Sequence, residues 1–191
     1  MHHFYAYMAR MSLIQRWSLR RNTRAENDAE HSLQVTMIAH CLAVTRNLRY
    51  GGNVDVGKVV LMSVYHEAAE VVTGDLAAPI KYFNPGIKAA FKEIEHMASE
   101  QLAGYLPEDL REEFQPLLFP DENSEEWKIV KAADKISAYV KCVEELGYGN
   151  AEFESAGGTI RAQIEEMGLP EADDFMREFV PSFALPLDAL N

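Results

Sequence analysis

Apolar residues recur along this chain at helical spacing, and no segment of useful length alternates with the period of two that marks a strand. Phe4, Tyr7, Met8, Met11 and Ile14 predict an opening helical segment. Residues 15–27 are polar and arginine-rich without a sustained period, so an ordered loop is expected there, of the length that tends to serve function. Asn27 or Asp28 can cap the following helix, whose apolar positions run through Leu33, Val35, Met37, Ile38, Cys41, Leu42 and Val44 to about Arg46. Further helices are predicted over about 55–72, 85–104, 107–118, 125–146, 151–167 and 171–179, followed by a tail that docks on the domain. The fold class that follows is all-α, in a single domain spanning residues 1–191.

One of these helices carries a chemical conflict. Val59, Val60, Leu61, Met62, Val64, Tyr65, Val71 and Val72 surround His66, Glu67 and Glu70, and Thr73-Gly74-Asp75 closes the segment. A helix apolar almost all round belongs in an interior. Interiors exclude charge unless it is paired or bound to a metal. The His-Glu doublet with Glu70 one turn on therefore asks for a partner.

Composition narrows the partners. The chain of 191 residues is 48% hydrophobic and 25% charged, as expected of a soluble globular protein. Its net charge of −12 disfavours nucleic acid polymers and anionic membranes. No apolar run approaches the length of a membrane span, and no basic-then-apolar leader opens the chain. Cys41 and Cys142 form no CxxC and read as free thiols of a reducing compartment, the cytoplasm. Against the acidic background, Arg16, Arg20, Arg21 and Arg24 cluster around Trp17. That nest fits a solvated loop, or a site that steers a small anion such as a phosphate.

Candidate ligands for a metal come from three helices. His31 lies in the first turn after the arginine loop, whereas His40, nine residues on, falls on the opposite face. His66 and Glu67 follow, and Asp134 stands among Ala132, Ala133, Ser137 and Ala138, whose small side chains leave room. Two imidazoles and two carboxylates suit a borderline divalent metal such as Mn, Co, Ni, Fe or Zn. By spacing alone the same residues also fit a hydrogen-bonded buried network. Trp17 likewise fits a core aromatic or a pocket wall, and Asp75 a turn residue or a ligand contact.

His31 within Arg24-Ala25-Glu26-Asn27-Asp28-Ala29-Glu30-His31-Ser32, then His66-Glu67, then Ala133-Asp134-Lys135, resembles the H…HD…D pattern of HD-domain metal-dependent phosphohydrolases. Arg16-Trp17, Glu70, Thr73-Gly74-Asp75-Leu76, Pro79-Ile80-Lys81-Tyr82-Phe83-Asn84 and Phe179-Val180-Pro181-Ser182-Phe183 narrow the likeness to the bacterial HD-domain 5′-deoxynucleotidases. The resemblance covers nearly the whole chain. It implies an HD-type helical bundle with a buried metal site, a homodimer, and hydrolysis of deoxyribonucleoside 5′-monophosphates to deoxynucleoside and phosphate. It implies cobalt, manganese or a similar divalent transition metal held by His31, His66, Glu67 and Asp134. Glu70 would be the acid/base residue at the attacking water, and Arg16 would orient the phosphate. Trp17, Glu67, Asp75, Leu76, Ala77 and Ala78 would line the substrate site.

Two positions depart from the family pattern. Glu67 stands where the doublet normally ends in Asp, and its extra methylene displaces the carboxylate by roughly a bond length (~1.5 Å). Ala77 and Ala78 replace a proline and a threonine, removing a hydroxyl from the substrate loop. Two competing expectations follow: an HD-domain hydrolase of another nucleotide or phosphate ester, and a non-catalytic nucleotide-binding HD module.

Overall fold

Asn27 opens one of the two longest helices of the fold by accepting the Glu30 amide at 3.0 Å, with Asp28 and Glu30 placed at the positive end of the helix dipole. In a computed structural model that describes residues 1–81 and 83–190, this helix, α2, runs Asp28–Tyr50. It is closed by Gly51 at φ 65, a left-handed residue that needs no Cβ. The preceding α1 spans Phe4–Met8 and runs into a 3₁₀ turn, Ala9–Leu13. After α2 come α3 Val56–Tyr65, α4 Glu70–Thr73, α5 Ala78–Lys81 and α6 Pro85–Gly104. Then follow α7 Arg111–Leu118, α8 Glu125–Gly147, α9 Glu154–Glu166 and α10 Pro170–Glu178. Of the motif Pro79–Asn84, Tyr82 lies outside the described residues, as does Asn191.

The described residues form no strand, only an isolated antiparallel bridge between Gln15 and Asn27. The all-α expectation holds. No helix among them is long and apolar enough to cross a membrane.

The centre of the bundle is α2 against α3 and α8. Val35, Ile38, Ala39 and Leu42 of α2 pack with Val59 and Met62 of α3 and Ile129, Val130, Ala133, Ile136 and Val140 of α8. A second apolar cluster joins Phe4, Met11, Ala68, Val71, Leu102, Leu106 and Leu118, tying the N-terminal segment to α4, α6 and α7. The tail docks as expected at its first part, where Val180 is buried and Phe183 packs against the main core. Further on, Leu185, Leu187 and Leu190 are exposed.

Two expectations need correction. The helix predicted over about 55–72 is interrupted after Tyr65. His66 Nδ1 donates to the Ser63 carbonyl at 2.7 Å, the acceptor that an unbroken helix would give to the Glu67 amide. Residues 66–69 then turn tightly, with Ala68 N bonding Tyr65 O at 2.9 Å and Glu70 N bonding Glu67 O at 3.0 Å. Nor is this segment buried all round: Leu61, Val64 and Val72 are exposed. Leu33 and Met37 of α2 are exposed too, at 62% and 59%, one turn apart on a face turned away from the core.

Candidate metal centre and phosphate site

The four predicted ligands converge. His31 from α2, His66 and Glu67 from the turn between α3 and α4, and Asp134 from α8 each offer a donor atom, all within 4.8 Å of one another. His31 Nε2 lies 3.1 Å from Asp134 Oδ1, and the two imidazole rings are 5.3 Å apart. His66 Nε2 lies 3.4 Å from Glu67 Oε1 and 4.0 Å from Asp134 Oδ1. His40, set aside in the sequence reading, is exposed on the far side of α2.

Hydrogen bonds behind the rings fix which nitrogens face inward. With Nδ1 donating to Ser63 O, His66 presents a bare lone pair at Nε2, and that buried atom has no hydrogen-bond partner. The Ser137 hydroxyl donates to Gln34 Oε1 at 2.6 Å and so accepts from His31 Nδ1 at 3.2 Å. His31 Nε2 is thereby turned to the centre as well. The His66 lone pair and two carboxylates point at one place, where His31 Nε2 hydrogen-bonds Asp134. Burial opposes a charge on His31, but its bonds to Asp134 and Glu26 outweigh that and raise its pKa. The converging negative charge is relieved by a cation, either the His31 proton or a metal. Burial holds His66 well below its usual value, at about 4, so the ring stays neutral and able to coordinate. These donors fit a borderline divalent metal. Glu67 reaches the centre despite its longer side chain.

Arg16 stands against this donor set. Its Nη1 lies 3.5 Å from Glu67 Oε1 and 3.7 Å from Asp28 Oδ1, and its Nε 3.8 Å from Glu26 Oε2. Burial disfavours the guanidinium charge, but Glu67, Asp134 and Glu26 outweigh it and raise the pKa further. The neighbouring residue, Trp17, adopts φ 59, a left-handed conformation unusual for a bulky side chain. Its Nε1 donates to Glu26 Oε2 at 2.9 Å, and its ring packs on Phe153 with centroids 5.2 Å apart. Trp17 is half-buried, with one side on an aromatic wall.

Glu70, only 5% exposed, lies on the same side. Burial and then the carboxylates of Glu67, Asp28 and Asp75 push its pKa up to about 11, so it carries its proton. Asp75 follows Gly74 half-buried, and its own pKa is raised by burial against the opposing pull of Arg16. Leu76 and Ala77 are half-buried and Ala78 is exposed, and the Ala77 carbonyl begins α5.

The sequence reading missed several groups here. Asp28 appeared as a helix cap; in the fold it is fully buried beside Arg16, with neither carboxylate oxygen hydrogen-bonded. Burial and then Glu67 raise it to about 7. Glu26, Ser137 and Gln34 support His31, Arg16 and Trp17 from behind. The proximity of Glu26 and Asp28 to the arginines in the chain was the available signal.

Comparison with known proteins places this geometry. An HD-domain phosphohydrolase from Listeria innocua superposes with a TM-score of 0.83, covering 94% of this chain and 87% of its own, at 21% identity. The cyanophage S-2L HD phosphohydrolase DatZ, solved with dA and one catalytic Zn²⁺ ion, superposes with a TM-score of 0.67 at 17% identity, covering 93% of this chain and 96% of its own. The fold is that of the HD-domain phosphohydrolases. At higher identity, the 5′-deoxynucleotidase YfbR of Escherichia coli is 48% identical over 190 residues, 99% of this chain and 96% of that protein. The family model of the YfbR-like 5′-deoxynucleotidases matches residues 3–183, and the chain belongs to that family.

Proposed function

We propose that this chain is a metal-dependent 5′-deoxynucleotidase, one HD-type domain over residues 1–191 that splits deoxyribonucleoside 5′-monophosphates into deoxynucleoside and phosphate. The observation that carries the reading is the position of Arg16, whose Nη1 lies 3.5 Å from Glu67, itself one of the converging donors. A phosphate bound there meets a planar guanidinium beside the metal donors.

His31, His66, Glu67 and Asp134 would hold the ion. Bound there, a divalent cation polarises a phosphoryl oxygen or makes water nucleophilic near neutral pH. Arg16 orients the phosphate and offsets its charge, drawn from a nest of carboxylates that already keeps the guanidinium in place. Glu70 is the acid/base residue. Its buried carboxyl carries its proton and makes no hydrogen bond at Oε2, so it can deliver that proton to the leaving 5′-oxygen. Trp17 forms a wall of the substrate site, and Asp75 with Leu76, Ala77 and Ala78 forms the loop facing the nucleotide.

The partners follow from the same reading: a nucleoside monophosphate, and a second copy of this chain. The exposed Leu33 and Met37 of α2 and the exposed Leu61 and Val64 of α3 offer apolar rows for such a homodimer, which sedimentation of the purified protein tests. A cytoplasmic location suits a nucleotide substrate and the free thiols of Cys41 and Cys142.

The function is tested by phosphate release from a panel of deoxy- and ribonucleoside 5′-monophosphates, with cobalt or manganese supplied after chelation. Deoxynucleotides should turn over and their ribose counterparts should not. Equal turnover of both would overturn the deoxy assignment. Turnover of non-nucleotide esters alone would replace it with another phosphohydrolase activity.

A further inference from the structure

We propose that Glu145 is a positioning residue: it latches the loop bearing Arg16 and Trp17 onto the helix that supplies Asp134. The proposal rests on the reading of Arg16 as the phosphate ligand.

Loop 15–27 is closed at its base by the Gln15–Asn27 bridge and by Arg16 N donating to Glu26 O at 3.0 Å. Its apex is held by one buried carboxylate. Glu145, 1% exposed, accepts from Thr23 N at 3.0 Å, Thr23 Oγ1 at 2.8 Å and Asn150 Nδ2 at 2.8 Å. Lys141, one turn earlier and also buried, pairs with Glu145 and donates to the Arg24 carbonyl at 2.6 Å. Asn150 reaches the Arg21 carbonyl at 2.7 Å, and the Arg21 amide donates to Glu152 at 2.9 Å. Burial opposes ionisation of Glu145, but Lys141, Asn150 and Thr23 outweigh it and hold its carboxyl at about 2.

A carboxylate and an ammonium hidden together are poor contributors to stability compared with apolar residues of the same shape. What they supply is registry. Seven and eleven residues at about 100° each bring Lys141 and Glu145 back to the face of α8 that carries Asp134. One rigid helix therefore fixes a metal donor and the anchor of the phosphate loop together. Trp17 reports the result. Its left-handed backbone is strained and persists only where its surroundings over-determine it. The Phe153 ring that Trp17 packs on lies just beyond the latch, with the Lys141 and Arg20 cations over it. With the apex released, Trp17 can relax, and Arg16, the preceding residue, moves with it.

Glu145→Gln and Thr23→Val test this. Thr23 is exposed and its hydroxyl donates to Glu145, so the second variant removes one latch contact without opening the core. In a Trp127→Phe background, Trp17 is the single tryptophan. Glu145→Gln should raise KM for a deoxynucleoside monophosphate by about tenfold to a hundredfold, with kcat changed less. Thr23→Val should raise it in the same direction. Cobalt stoichiometry should remain that of the parent, and acrylamide should quench Trp17 more readily. Unchanged KM and unchanged quenching in both variants would overturn the proposal, leaving the pair a plain structural feature. Loss of cobalt binding in step with KM would overturn it too, since the damage would then reach the whole centre. If Glu145→Gln does not fold, Thr23→Val decides alone. Quenching needs no turnover, so a parent without phosphatase activity would strike the proposed function and leave the latch to the fluorescence.

Discussion

His66 Nε2 and Glu67 Oε1 face each other at 3.4 Å, and the imidazole nitrogen has no hydrogen bond. Adjacent residues of the chain thus present a lone pair and a carboxylate to one point, an arrangement that a divalent cation relieves. Manganese or cobalt at a hundred times its dissociation constant should stabilise the chelated protein by about 2.7 kcal/mol, a rise in Tm of roughly 5–10 °C. Calorimetry with and without metal measures it. His66→Ala should abolish most of the rise; an undiminished rise in that variant would place the binding elsewhere.

Glu70 bears its proton because burial and then Glu67, Asp28 and Asp75 disfavour its charge. Glu70→Gln keeps the shape and removes the exchangeable proton. Phosphate release should fall by about 10²–10⁴ in kcat with metal content unchanged. A variant as fast as the parent would remove Glu70 from the chemistry.

Arg16 sits within 3.5–3.8 Å of Glu67, Asp28 and Glu26. Deleting its charge would strand buried carboxylates, so Arg16→Lys is the cleaner variant. Lysine keeps the charge but not the planar fork, and kcat/KM should drop about tenfold to a hundredfold. Steady-state kinetics with a deoxynucleoside monophosphate checks this, and an unimpaired Lys variant would argue against bidentate phosphate binding.

Asp28 is raised to about 7 from an ordinary 3.8, chiefly by burial and then by Glu67. Between those values the unfolded chain has released this proton while the folded chain retains it, so folding binds a proton and stability falls as pH rises. Asn carries no such penalty. Metal-free Asp28→Asn should therefore be more stable than the parent by about 1–3 kcal/mol at pH 8, with the gain vanishing below about pH 4. Urea melts at the two pH values give the difference. A gain independent of pH would show that burial of the carboxyl is not its source.

Much of the scaffold was legible from local pattern. The 3.6-residue period of α2 and α8 and the cap at Asn27 act within a few residues of the chain, and the structure keeps them, with α2 running on from the expected end near Arg46 to Tyr50. The candidate ligands His31, His66, Glu67 and Asp134 could be singled out because charge amid apolar helix is costly and because together they resemble the HD-domain pattern. The break after Tyr65 could not be read, since a ring nitrogen captures a carbonyl that the periodicity assigns to the backbone.

By itself, then, the sequence determined the helices, their caps and the chemistry of the residues worth holding together, because those depend on neighbours along the chain. Only the tertiary structure decided which of them meet. Asp28 changed from a cap into a buried acid beside Arg16, and Glu145, which nothing in the helical pattern singles out, became buried and bound to Thr23, 122 positions away. Such contacts arise between segments far apart in sequence, where no local periodicity carries information, and their energetics exist only once burial has removed the water between them.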